Sequence, residues 1–178
     1  MPEIALDGHT LTSAEVLRIA SGGATVTLSS NALPKVQAAR SVVERILSND
    51  ETVYGINTGF GALVHERISP DDLSQLQTNL IRSHATAIGE LMSRESVRAM
   101  MAVRINSLAK GNSGVHLDVL NQLIHFLNFD IVPAIPRIGS LGASGDLAPL
   151  SHMALCLIGE GEVLCQEGGV EPTSIQLT

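Results

Sequence analysis

Aromatic residues are scarce: the 178-residue chain carries three Phe, one Tyr and no Trp. Its core must therefore be aliphatic, and it offers no stacking platform for single-stranded nucleic acid. Basic residues are also few. Eleven Lys and Arg stand against 18 Asp and Glu, and the resulting charge of -7 would be repelled by phosphate backbones and anionic lipid surfaces. No apolar run reaches the roughly 18 residues that a spanning helix needs, and the opening MPEIALDGHT has neither a basic start nor an apolar stretch. The chain reads as cytoplasmic. Cys156 and Cys165, nine positions apart, form neither a CxxC pair nor a dense framework, which fits free thiols in a reducing compartment.

Aliphatic residues are plentiful instead. Hydrophobic residues make up 44% and charged residues 16%, and mean hydropathy is +0.25, too apolar for a disordered chain. Such a chain buries a real core and is expected to hide part of its surface against a partner.

The chain is expected to be a single, mainly helical domain with short strands at the start and a small hairpin at the end. Thr12 and Glu15 have capping-box spacing ahead of a helix over 14–20, which Gly22 and Gly23 stop before the strand-like ATVTLS. A helix over 32–48 should follow, with Pro34 in its first turn and Val36, Ala39, Val43, Ile46 and Leu47 on one face. Residues 52–62, TVYGINTGFGA, have loop composition. Beyond them Ser69 is placed to cap a helix with Pro70 at its first position, Asp71 and Asp72 at its positive end, and Leu73, Leu76 and Leu80 facing inward.

Further helices are expected over 93–110, with Val97, Met100, Met101, Arg104 and Leu108 on or near one face, and over 115–129. Pro133 and Pro136 then force an extended entry into the glycine-rich GSLGASGDLAP, after which Asp146 can cap a helix over 147–158. The segment GEGEVLCQEGGVEPTSIQLT reads as a hairpin turning near Gly168 and Gly169.

Several chemistries lack support. No two of the six histidines have the helical spacing that puts two ligands on one face, so a dedicated metal site is not expected. GASGD is not the nucleophile elbow of a hydrolase. The loop over 139–145 lacks the Lys and Ser/Thr of a phosphate-binding loop, and Asp146 would place negative charge where the phosphate should lie.

GSLGASGDLAPLSHMAL, residues 139–155, resembles the signature of the histidine and phenylalanine ammonia-lyase family. In that family an Ala-Ser-Gly tripeptide cyclises into the electrophile MIO, 4-methylidene-imidazole-5-one. The residue types suit the chemistry. The nitrogen of Gly145 must attack the carbonyl of Ala143, which requires an unhindered amide and a sharply folded backbone, while Ser144 loses its hydroxyl to leave a methylidene. An ordinary glycine turn before a capped helix would account for Gly139, Gly142 and Asp146, but not for the longer string.

VYGINTGFG, residues 53–61, resembles the family's tyrosine loop and places Tyr54 where those enzymes carry a catalytic base. NLIRSHATAIGE, residues 79–90, resembles the segment bearing a substrate-facing histidine, here His84; the plainer alternative is a helical histidine satisfied by a backbone carbonyl. The resemblance implies catalytic roles for Tyr54, Ala143, Ser144, Gly145 and Asp146, and substrate contacts for His84, Asn57 and Gly61. For Asp146 it implies help in cyclisation or capping of the following helix.

It further implies an N-terminal MIO-bearing domain over 1–178, with the family's C-terminal part absent and supplied by a longer or second chain. It implies an amino acid substrate, oligomerisation, MIO formed autocatalytically without a metal, and conversion of L-histidine to trans-urocanate. Tyrosine or phenylalanine chemistry, by a lyase or a 2,3-aminomutase, is the alternative within the family. A non-catalytic interaction domain of the same fold is the alternative outside it.

Overall fold

The computed structural model describes residues 1–49, 51–58, 68, 70–165 and 168–173, with the side chains of residues 70, 71 and 144 excepted. Strand β1 (Glu3–Leu6), helix α1 (Ser13–Ala20) and strand β2 (Thr25–Leu28) form a right-sized β-α-β opening in which the strands pair in parallel, Ile4 against Val26 and Leu6 against Leu28. The capping box is present: the Thr12 hydroxyl accepts from the Glu15 amide, and the Glu15 carboxylate accepts from the Thr12 amide at 2.8 Å. Those bonds satisfy orphan donors at the helix start.

Helix α2 (Leu33–Ser48) begins with Pro34 in its first turn. Val36 is its one buried residue; Ala39, Val43 and Ile46 are half-buried and Leu47 is exposed. The expected apolar face is thus covered only at its start, because the helix runs on past the core. Helix α3 (Pro70–His84) carries Leu73, Leu76 and Leu80 half-buried; its expected cap, Ser69, lies outside the described residues. Strand β3 (Ile88–Leu91) precedes α4 (Arg94–Leu108), whose Ser93 hydroxyl accepts from the Ser96 amide.

The core centres on α4 and on α5 (Leu117–Asn128). Val97, Met101, Ala102 and Ile105 from the first meet Leu120, Leu123 and Phe126 from the second, together with Ile19 and Val26. Burying one such side chain contributes roughly 1.5–3 kcal/mol. Arg104, expected near this face, is exposed, and Arg98, nearly two turns earlier, is buried instead. The Asn128 carboxamide completes the edge of β2, donating to the Val26 carbonyl at 2.9 Å and accepting from the Val26 amide at 2.8 Å.

The proline-bounded segment becomes β4 (Pro136–Ile138), antiparallel to β3. A 3₁₀ turn (Gly142–Ser144) leads into α6 (Leu147–Leu157), and β5 (Glu162–Leu164) pairs with β6 (Val170–Pro172) as the expected hairpin. Both cysteines are free thiols. Among the described residues no helix is long and apolar enough to cross a membrane.

Candidate active site

Tyr54 sits on a turn that the loop braces from within. The Asn57 carboxamide accepts from the Val53 amide at 2.9 Å and donates to the Glu51 carbonyl at 2.6 Å, and the amide of Ile56 closes on the Val53 carbonyl at 3.1 Å. Asn57 is 5% exposed, whereas Tyr54 is 61% exposed. Gly55, at φ 79°, takes the left-handed conformation that lets the chain reverse there. Asn57 thus spends its carboxamide on the backbone of the loop that carries Tyr54. Gly61 lies outside the described residues.

His84 ends α3. Its Nδ1 lies 2.9 Å from the Leu80 carbonyl and 3.1 Å from the Ser83 hydroxyl; the carbonyl can only accept, which favours the tautomer with the proton on Nδ1. The Ser83 hydroxyl donates to the same carbonyl at 3.0 Å. This is the backbone-satisfied histidine that the sequence left open as an alternative; with the proton on Nδ1, the lone pair of the neutral ring lies on Nε2.

The Ala143-Ser144-Gly145 tripeptide is folded, not extended. The Gly145 amide donates to the Gly142 carbonyl at 3.2 Å, closing the 3₁₀ turn, and Gly145 is left-handed at φ 89°. A Cβ built on Gly142 or Gly145 would meet no atom within 4 Å, so space around the turn is open.

Asp146 is also left-handed, at φ 57° and ψ 41°. It occupies the expected capping position of α6, but its side chain makes no capping bond. The left-handed backbone turns the carboxylate away from the helix amides, and it accepts instead from the Ser140 hydroxyl.

Packing links the turn to His84. Helices α3 and α6 lie against each other, and β3, which follows His84, pairs with β4, which enters the turn. Where the two meet, a Cβ on Gly139 would lie 2.6 Å from the Ala87 Cβ and 2.9 Å from the Ala87 Cα. Only glycine lets the segments approach so closely. The described contacts therefore join His84's helix to the turn, while Tyr54 stands on its separately braced loop.

Beside the turn a cleft of about 440 Å³ is walled by Ser140, Gly145 and Asp146 on one side and by Met100, Arg104 and Arg137 on others. Behind the turn, on α6, the Nε2 of His152 is buried with no partner among the described residues, and burial lowers this imidazole's pKa. Among the described residues no cluster of three metal-ligating side chains occurs.

Sequence reading missed the buried Arg98, although a charge beside Val97 and Met101 on an apolar helix was its signal. It also missed Ser140, whose role depends on a backbone conformation that no motif announces.

The helical fold with its paired glycine-rich loops defines the class of molecule. Aromatic amino acid lyase is the family whose model matches residues 11–177, and the chain belongs to that family. It is 53% identical over 159 residues to a histidine ammonia-lyase of Staphylococcus aureus, a match covering 89% of this chain and 32% of that protein. Its structure is similar to tyrosine aminomutase from Streptomyces globisporus, with a TM-score of 0.90 and 42% identity over 98% of this chain and 32% of the other. It is also similar to histidine ammonia-lyase from Trypanosoma cruzi, with a TM-score of 0.87 and 39% identity over 96% of this chain and 33% of the other. The chain thus spans about a third of the length of these relatives.

Proposed function

We propose that this chain is the N-terminal, MIO-bearing part of an ammonia-lyase that converts L-histidine to trans-urocanate and ammonia. The observation that carries the reading is the closed turn at 142–145, in which the Gly145 amide donates back to the Gly142 carbonyl and bends the chain sharply across the tripeptide. Ala143, Ser144 and Gly145 fit the group: the turn is already bent, Gly145 is left-handed, and the space around both glycines is free. The ring, once formed, supplies an electrophilic methylidene carbon to which an amine can add.

The chain's own side chains divide the remaining tasks. Tyr54 serves as the base that takes the proton from the substrate's β-carbon as the carbon-nitrogen bond breaks, leaving a double bond and free ammonia. Asn57 holds the loop that presents it. His84, its Nδ1 committed to Leu80, offers Nε2 as an acceptor, suited to an N–H of an imidazole side chain. Gly61 contributes to substrate binding, as the family resemblance implies. Asp146 acts through the turn and not as a helix cap.

Full activity requires the remaining part of the family fold, in a longer or a second chain, and assembly into an oligomer. Two observations support this: the chain matches a third of its relatives, and Ile88, Ile138, Leu141 and Leu147 stand exposed around the turn. A cytoplasmic location fits the free thiols.

The likeness to tyrosine aminomutase favours a second reading, tyrosine or phenylalanine as substrate with either elimination or amine migration. Incubation of the assembled protein with each amino acid separates them. Trans-urocanate from histidine is expected; a β-amino acid from tyrosine, with histidine untouched, would replace the first reading by the second.

A further inference from the structure

We infer that Ser140 is a positioning residue for ring closure: its hydrogen bond to Asp146 staples the two ends of the turn that must cyclise. The inference rests on the ring-forming reading above. Between the two residues lie Leu141, which is exposed, and Gly142 and Gly145, around which a side chain would find open space. Among the described residues, therefore, apolar packing does not compress the turn. Two glycines in so short a span also give the chain many alternatives to the bent form.

Two of the bonds that oppose those alternatives are the Gly145-to-Gly142 turn bond and the link from the Ser140 hydroxyl to the Asp146 carboxylate. The second spans the whole tripeptide, and its acceptor is charged, which strengthens it. It also explains an otherwise costly feature. Asp146 is one of two non-glycine residues with positive φ among those described, and at φ 57° its carboxylate turns back toward Ser140 instead of toward the first amides of α6.

Closure forms a bond from the Gly145 nitrogen to the Ala143 carbonyl carbon. The carbonyl oxygen leaves as water with the protons of the Ser144 and Gly145 nitrogens, and the Ser144 hydroxyl leaves as a second water with the Cα proton. No oxidant or reductant is needed. A staple that keeps the nitrogen and carbon in one tight turn raises their effective concentration and so the rate of the first step.

The test separates the staple from the ring. In a Ser144→Ala background, which has no hydroxyl to lose, Ser140→Ala is expected to raise hydrogen exchange at the Gly145 amide by on the order of tenfold, and Ser140→Thr to leave it unchanged. Unchanged exchange in the alanine variant would overturn the inference. In the chain with Ser144 intact, Ser140→Ala should slow the loss of the two waters, followed by peptide mass, also by on the order of tenfold. Equal rates would overturn it as well. A parent chain that keeps both waters would remove the ring-forming reading and with it the positioning role, while the exchange result would still report whether the staple exists. Circular dichroism confirms that each variant is folded.

Discussion

The region around Arg98 and the turn at 139–146 solve the same problem, backbone polar groups that need partners, by opposite means. Arg98 is 4% exposed and donates to the carbonyls of Ile19 and Ala20 at the end of α1, to that of Leu127 near the end of α5, and to the Asp130 carboxylate at 3.0 Å. Arg94 reaches the same carboxylate and the Leu164 carbonyl. One buried guanidinium thus closes two helix ends and joins them to the core. The turn has no such centre. Its shape comes from glycines, a left-handed aspartate and local hydrogen bonds, and Leu141 within it faces outward. The contrast teaches that the buried guanidinium belongs to the core, whereas the turn is left where other chain can reach it.

Breaking the scaffold should cost most. Arg98→Ala strands several buried carbonyls and should lower unfolding free energy by about 3 kcal/mol or more, read by urea denaturation. Removing chemistry should leave the fold intact. Tyr54→Phe, at an exposed position, should reduce turnover in the active assembly by about a hundredfold or more with little change in melting temperature. A substitution at the seam should disturb both regions. Gly139→Val drives side-chain atoms into Ala87 and should cost about 1–3 kcal/mol while also impairing ring formation, seen by denaturation and peptide mass together.

Thr12→Ala, far from the turn, should cost about 1 kcal/mol through the lost cap and leave ring formation unchanged.

The smallest effect concerns pH. Burial lowers the pKa of His152 in the fold, so below the ordinary histidine value of 6.5 the unfolded chain takes up a proton that the folded site resists. Stability should therefore fall as pH drops through about 6.5 and level off once the folded site protonates too. His152→Phe should flatten that part of the pH–stability curve, measured by melting temperature across the range.

Local chemistry was the most legible part of the sequence. The Thr12–Glu15 box, Pro34 at a helix start and the Gly168–Gly169 reversal each depend on a few neighbouring residues, and each occurs in the fold. What depends on distant segments was not legible. The β3–β4 pairing, the close approach at Gly139 and the carbonyls gathered by Arg98 need the whole chain in place. Leu47 follows the helical period yet is exposed, because periodicity reports a face and not how far the core extends beneath it. At the site, Tyr54 stood out as the one tyrosine, and the tripeptide through the resemblance of its surrounding string to the family signature. Asp146 carried a standard capping signal and does something else, since its left-handed backbone decides where the carboxylate points.

The most direct test is the mass of the peptide that spans residues 139–155 from the assembled protein, compared with the same peptide from the Ser144→Ala variant. The account predicts that the parent peptide is lighter than its sequence by two waters, with the deficit localised by fragmentation to Ala143-Ser144-Gly145. A parent peptide of full mass, from an assembly that is nevertheless active on its amino acid, would contradict it.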